Sequence, residues 1–337
     1  FITMSILHNI RTYLLMCLLA FGAVSSANEL SEEAQISLLT CAPGEELYAR
    51  YGHTALRVLD TENEIDIVFN YGIFDFNTEH FYWRFVRGET WYQLGASSMR
   101  WFMYEYNEDK RPVYEQILNL TAEQKESIWQ ALVENYQPEN RQYLYNFVFD
   151  NCATRPYHLI AHALDIDSIQ SEYRGYLGHT YRQFLRHYTG AHSWSNAGIN
   201  LLFGPRADQP MTNEQRLFLP EELMFYMEEA RMADGTPIVR KSNAAPFEIT
   251  GTSWYASWEL GLIVYFLCIL AISIYDRRKG NWSWWVEIVS GVPYLLLLLI
   301  VFFLTFFSCH PLVGFGWRLL IIPLTHLCAR SVTIFRW

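Results

Sequence analysis

One cysteine stands out by its neighbours. Cys152 lies in the run Phe149-Asp150-Asn151-Cys152-Ala153-Thr154-Arg155, where Asp150 and Asn151 are cap residues for a helix that begins near the thiol. A sulfur just inside a helix N-terminus feels the positive end of the dipole and unpaired main-chain N–H groups, which favours the thiolate. Free cysteines are more often small buried hydrophobes, but the polar groups crowded around this one point to a nucleophile. Such a thiol needs a base that titrates near working pH, and imidazole is the natural group. His53, between Gly52 and Thr54 at the head of a strand, is the candidate. The base in turn needs an orienting partner. Asn70, on the next strand, can reach it across an antiparallel pair, with Tyr71 and Asp66 as competitors. Asn151, or a main-chain N–H at the helix start, is placed to meet an oxyanion formed during attack.

Two other groups compete for attention. His158 and His162 stand four residues apart on the helix after Cys152, as metal ligands can, but no Glu follows His158 and no third ligand is evident. They read as a packed helix face, and no cofactor or metal is implied. Of six cysteines, only Cys41 and Cys152 belong to the mature outer domain. In an oxidising compartment two cysteines invite a disulfide, and a Cys41–Cys152 bridge would end any thiol chemistry.

The elements that must position these residues follow from pattern. Residues 36–40 form a short apolar strand, ended by the turn Cys41-Ala42-Pro43-Gly44. Residues 53–59 alternate as a strand does, 60–63 turn, and 64–71 supply the partner strand. Thr121 and Gln124 make a capping box for a helix whose buried face carries Ile128, Leu132 and Tyr136, with Pro138 just past its end. Residues 141–149 are aromatic and strand-like, and 172–241 are helical and loopy. The fold class expected is α+β: a small antiparallel sheet with helices packed on it, followed by C-terminal transmembrane helices.

Four blocks then carry a resemblance. Leu38-Leu39-Thr40-Cys41-Ala42-Pro43-Gly44, Tyr51-Gly52-His53-Thr54-Ala55-Leu56-Arg57-Val58, Phe69-Asn70-Tyr71-Gly72-Ile73-Phe74-Asp75-Phe76 and Phe149-Asp150-Asn151-Cys152-Ala153-Thr154-Arg155 resemble, in order, the signature blocks of the Lnb-type lipoprotein N-acyltransferases of Bacteroidota. The order of a His strand followed by Asn-Cys at a helix start is also similar to the permuted papain-like arrangement of lecithin:retinol acyltransferase. The resemblance implies a Cys–His acyltransferase domain that takes an acyl chain from a membrane phospholipid and delivers it to a diacylated lipoprotein. It also implies a membrane region of more helices than this chain offers before Trp337. The same Cys–His pair would serve a papain-like cysteine peptidase or a cell-wall amidase. A non-catalytic envelope sensor or scaffold, with Cys41 and Cys152 bridged, is the third reading.

Composition sets the location. The net charge is −10 with no basic stripe, which argues against a nucleic-acid partner. Aromatics form 17 % of the chain, as suits membrane interfaces and aromatic cores. Arg11, the apolar run 13–24 and Ser25-Ser26-Ala27 read as a signal peptide over 4–27. The outer domain then spans 28–250 and the membrane region 254–337, with clear spans at 254–275 and 288–308 and a weaker one at 314–330. Arg277, Arg278 and Lys279 mark the first connecting loop as cytoplasmic. The expected location is the bacterial inner membrane, with the catalytic domain in the periplasm and the bilayer itself as a partner. A topology reporter fused after Lys241 is therefore expected to be active only on the extracytoplasmic side, and one fused after Gly280 only in the cytoplasm. Cytoplasmic activity of the Lys241 fusion would put the lipid substrates out of reach and sink the arrangement.

Overall fold

The computed structural model describes residues 29–74, 91–165, 169–175, 178–249 and 253–280, with isolated positions elsewhere. The expected signal peptide and the third expected span lie outside the described residues, as does most of the second. What is described is an α+β domain followed by one long apolar helix.

The sheet is antiparallel and grows around an early hairpin. Strand β1 (Gln35–Cys41) pairs with β2 (His53–Asp60), and β2 pairs with β3 (Ile65–Ile73). The β2–β3 turn is held by Asp60, whose Oδ1 accepts the N–H groups of Glu62 at 3.2 Å and Asn63 at 3.3 Å. β4 (Trp91–Ser98), β5 (Val113–Leu118), β6 (Gln142–Leu144) and, after the short β7–β8 ribbon (Gln170–Ser171 with Ala230–Arg231), β9 (Val239–Ser242) complete the set. The strand order β6-β4-β3-β2-β1-β5-β9 makes seven strands, so the expected small sheet is a large one. The expectation fell short over 91–118 and 239–242, where pairing partners lie far off in sequence and leave little local signal.

The alternation of side chains divides the sheet into two faces. Leu56 and Phe69 are paired across β2 and β3, and both belong to the main core with Ile36 and Leu38. Helix α2 (Ala122–Tyr136) covers that face with Ile128 and Leu132, and α3 (Thr154–Leu164) with Tyr157 and Ile160. The predicted capping box of α2 is present, with Thr121 Oγ1 accepting from Gln124 N at 3.2 Å and Gln124 Oε1 from Thr121 N at 2.9 Å. The opposite face carries Leu39, Cys41, Ala55 and Val68 under Phe102 of helix α1 (Met99–Glu108). His53 is an odd number of residues from Leu56, and Asn70 from Phe69, so both belong to this second face. Cys41 closes β1 directly opposite His53. It is a ladder residue, not the turn residue expected, because β1 runs one residue further than its apolar pattern.

A second core joins α4 (Tyr181–Thr189) to α6 (Pro220–Glu229) through Phe184, Phe218 and Met224. Between these helices lies α5 (Trp194–Leu202), against which the apolar helix α7 (Trp258–Lys279) is seated. Trp258 N–H donates to the His192 carbonyl at 3.1 Å, His192 Nδ1 meets Glu259 Oε1 at 2.7 Å, and the Trp194 ring fills the place of a side chain at Gly261. Helix α7 is long and apolar enough to cross a membrane, with mean hydropathy 2.0, and it ends in Arg277, Arg278 and Lys279. It corresponds to the first expected span, starting four residues later because Trp254–Ala256 form a 3-10 turn of their own.

Gly52 lets β2 begin where it does. Its φ is +79°, and a Cβ there would stand 2.7 Å from the Cys41 carbonyl oxygen and 3.0 Å from the Phe247 ring. Gly52→Ala is expected to cost about 1–3 kcal/mol, as a forced left-handed residue does. The readout is the thermal midpoint of the detergent-solubilised protein; an unchanged midpoint would show that the turn tolerates a side chain.

Candidate active site

Cys152 owes its place to the residue before it. Asn151 Oδ1 accepts the N–H groups of Ala153 at 2.8 Å and Thr154 at 2.9 Å, and Thr154 Oγ1 accepts the Asn151 N–H at 2.8 Å. These bonds close the turn that leads into α3, and they set Cys152 in that turn, two residues before the helix. Asn151 Nδ2 donates to the carbonyls of Phe147 and Phe218, each at 2.7 Å. The side chain is 2 % exposed, with both amide hydrogens committed. It therefore has no hydrogen left for an oxyanion, and the alternative held open for that role, a main-chain N–H at the helix start, is the one the geometry leaves. Asp150 holds the flank of the helix, its carboxylate gripping Arg155 at 2.6 and 2.7 Å while the guanidinium lies 3.6 Å over the Tyr143 ring.

His53 Nε2 lies 3.1 Å from Asn70 Oδ1. An amide oxygen can only accept, so Nε2 carries the proton and Nδ1 the lone pair. The competitors for Asn70 are occupied elsewhere. The Tyr71 hydroxyl donates to Asn135 Oδ1 at 2.8 Å, and Asp66 pairs with Arg57 at 2.7 and 3.0 Å. His158 and His162 are exposed on the outer side of α3, not on the packed face expected, which is formed by Tyr157, Ile160 and Ala161. Cys41 and Cys152 are both free thiols, and Cys41 is completely buried beside Tyr106.

The pair meets at the open end of the sheet, where His53 and Cys152 line one cavity of about 120 Å³. The N–H of Thr54, next to His53, is directed at the Cys152 sulfur. Gly72, at φ +95°, borders the nucleophile: a Cβ there would touch Cys152 Cβ at 3.7 Å and the Tyr145 ring at 3.9 Å. No hydrogen bond joins imidazole and sulfur; the ring's hydrogen bond is to Asn70. Most of the remaining wall is aromatic, with Tyr48, Tyr51, Phe74, Tyr92, Tyr145, Phe147 and Phe218, and Leu219 and Pro220 complete it. Sequence pattern placed none of these seven rings in a site. The high aromatic content was the available signal, and it lacked a location.

Burial decides the charge state. It pushes the Cys152 thiol up to about 11, against the lowering effect of the Thr54 and Cys152 N–H groups. The expectation of a thiolate favoured by the helix start is thereby reversed, because desolvating the anion costs more than two N–H dipoles return. Burial likewise pushes His53 down to about 4, with Asn70 acting to raise it and nearby Arg111 to lower it further. At neutral pH the resting pair is a thiol beside a neutral imidazole.

The fold and site define a class: an α+β domain with a Cys–His cavity, joined to a helix able to anchor it in a membrane. Residues 26–191 match the family model of the Lnb N-terminal periplasmic domain. Through that stretch the chain belongs to the Lnb-type family of envelope proteins. No curated protein and no solved structure matches it.

The neutral pair has a measurable signature. Alkylation of Cys152 by iodoacetamide is expected to climb roughly tenfold per pH unit between about pH 7 and 9, since the thiolate is then a small, rising fraction. Reaction at a rate independent of pH over that window would mean a preformed thiolate–imidazolium pair.

Proposed function

We propose that this protein is a lipoprotein N-acyltransferase of the bacterial inner membrane that works from the periplasmic side through a Cys152 thioester. The observation that carries the reading is the cavity itself: one thiol and one neutral imidazole, its Nε2 held by Asn70, at the mouth of a small aromatic chamber. Such walls suit an acyl chain better than a charged peptide. The four sequence blocks and the membership of residues 26–191 support the same reading.

The chemistry runs in two halves. The Cys152 thiol gives its proton to His53 Nδ1 as the sulfur attacks the acyl ester carbonyl of a phospholipid. The tetrahedral adduct collapses with loss of the glycerol oxygen, which takes the proton back from His53 and departs as a lysophospholipid. In the second half the α-amine of a lipoprotein's diacylglycerol-bearing N-terminal cysteine attacks the thioester. His53 accepts a proton from that amine, the C–S bond breaks, and the sulfur recovers its proton. A thioester resists water well and yields readily to amines, which suits transfer in two steps. Asn70 keeps the imidazole in the tautomer that the first proton transfer needs. Helix α7 keeps the cavity near the bilayer, where donor and acceptor both lie.

The test is acyl transfer to a diacylated lipoprotein from phospholipid vesicles, with mass spectrometry of the Cys152 peptide. Cys152→Ala is expected to abolish both transfer and the acylated peptide. His53→Ala should lower the rate by roughly a hundredfold. The double variant should be little worse than Cys152→Ala alone, because the two act as one unit. Wild-type rates from Cys152→Ala would end the thiol mechanism, and turnover of an unlipidated peptide instead would favour a peptidase or amidase.

A further inference from the structure

Attack on an ester carbonyl places negative charge on the carbonyl oxygen, and such an oxygen is usually met by two donors. The helix start offers the main-chain N–H of Cys152. Asn151 is excluded by its bonds to Phe147 and Phe218, and His53 Nε2–H is held by Asn70. The Thr54 N–H is directed at the sulfur itself, which leaves the cavity wall as the place for a second donor, and its remaining polar side chains are tyrosines.

Four tyrosines line the cavity. Tyr48 is 67 % exposed, and Tyr51 packs away against Phe147 and Tyr188 at 4.9 and 5.9 Å. Tyr92 and Tyr145 stack on each other, ring centroids 4.2 Å apart and 27° from parallel. Of these two, Tyr145 shares the vacancy at Gly72 with the nucleophile, its ring 3.9 Å and Cys152 Cβ 3.7 Å from the position of the missing side chain. The Tyr145 hydroxyl has no hydrogen-bond partner among the described residues, although the ring is fixed by the stack. A positioned hydroxyl with no partner among the described residues is free to donate to a ligand in the cavity.

We propose that Tyr145 is a further catalytic residue, whose hydroxyl donates to the carbonyl oxygen of the tetrahedral adduct on Cys152 while the Cys152 N–H supplies the second bond. The assignment rests on the acyltransferase reading above. Burial and the neighbouring sulfur hold the phenol's pKa well above its ordinary value, so it is a neutral O–H donor throughout the working range. The bond strengthens as the C=O π electrons move onto oxygen, and it relaxes when the carbonyl re-forms. Tyr145 exchanges no proton and leaves the balance of the two half-reactions unchanged.

Tyr145→Phe keeps the ring and its stack on Tyr92 and deletes only the hydroxyl. In the detergent-solubilised full-length protein, formation of acyl-Cys152 from a mixed-micelle phospholipid and from p-nitrophenyl butyrate is expected to fall roughly a hundredfold. Alkylation of Cys152 by iodoacetamide proceeds at a saturated carbon and forms no oxyanion, so its rate should stay at the wild-type value. Equal acylation rates in wild type and Tyr145→Phe would overturn this inference alone. So would parallel losses in acylation and alkylation, which would mean a disturbed thiol, or the same acylation loss in Tyr92→Phe with Tyr145→Phe intact. Absence of acyl-Cys152 in the wild type with both donors would overturn the acyltransferase reading, and this inference with it.

Discussion

The site depends on one buried amide. Asn151 spends its oxygen on the start of α3 and its nitrogen on the carbonyls of Phe147 and Phe218. Three pieces of chain distant in sequence or unlike in structure are thereby tied at one point: the aromatic turn after β6, the first turn of α3 and the approach to α6. Buried amides cost stability unless each hydrogen and lone pair is used, and here they are used. The consequence is positional. Cys152 is the next residue, and its sulfur can stand only where the knot puts it, against the N–H of Thr54 and the gap at Gly72.

From that placement follows the electrostatics. A thiol at a helix start is ordinarily easier to ionise, but this one is walled in by rings, and desolvation prevails. The same walls keep His53 neutral. The pair is thus quiet at rest: the sulfur becomes a strong nucleophile only as its proton leaves for a base already in the correct tautomer. For a protein in the oxidising periplasm a resting thiol has a further merit, since it is the thiolate that oxidants and disulfides attack. Cys41 is protected differently, by complete burial that raises its pKa to about 12, with Tyr106 and Arg111 acting to lower it.

The aromatic wall and the apolar helix α7 are linked by way of the second core. Phe218 contacts Phe147 at 5.6 Å between centroids and Phe184 at 6.0 Å, so the floor of the cavity continues into α4. From α4 the chain runs to His192 and Trp194, which seat the first turns of α7. Glu259 in that first turn also faces the positive end of its own helix, a favourable place for a carboxylate. The ring contacts therefore reach from the site to α4, and the contacts of His192 and Trp194 with Trp258, Glu259 and Gly261 hold the first turns of α7 against the domain.

Much of this was legible in the residues. The β2–β3 hairpin, the Thr121–Gln124 capping box, the cap at Asn151 and the apolar run beginning near Trp254 each have a signal only a few residues long, because hydrogen bonds of caps and turns close locally. Even Asn70 beside His53 could be anticipated, since consecutive strands pair antiparallel and parity assigns the face. What local pattern could not supply was everything made by distant meetings. The return of residues 239–242 to the far edge of the sheet, where Ser242 pairs with Gln116, the Phe218 carbonyl that takes up an Asn151 hydrogen, and the gathering of tyrosines around the sulfur are all contacts between segments distant in the chain. The charge state of Cys152 belongs with them. A helix dipole can be read from a cap sequence, but the desolvation that outweighs it is set by how completely distant rings close over the thiol, and only the folded chain decides that.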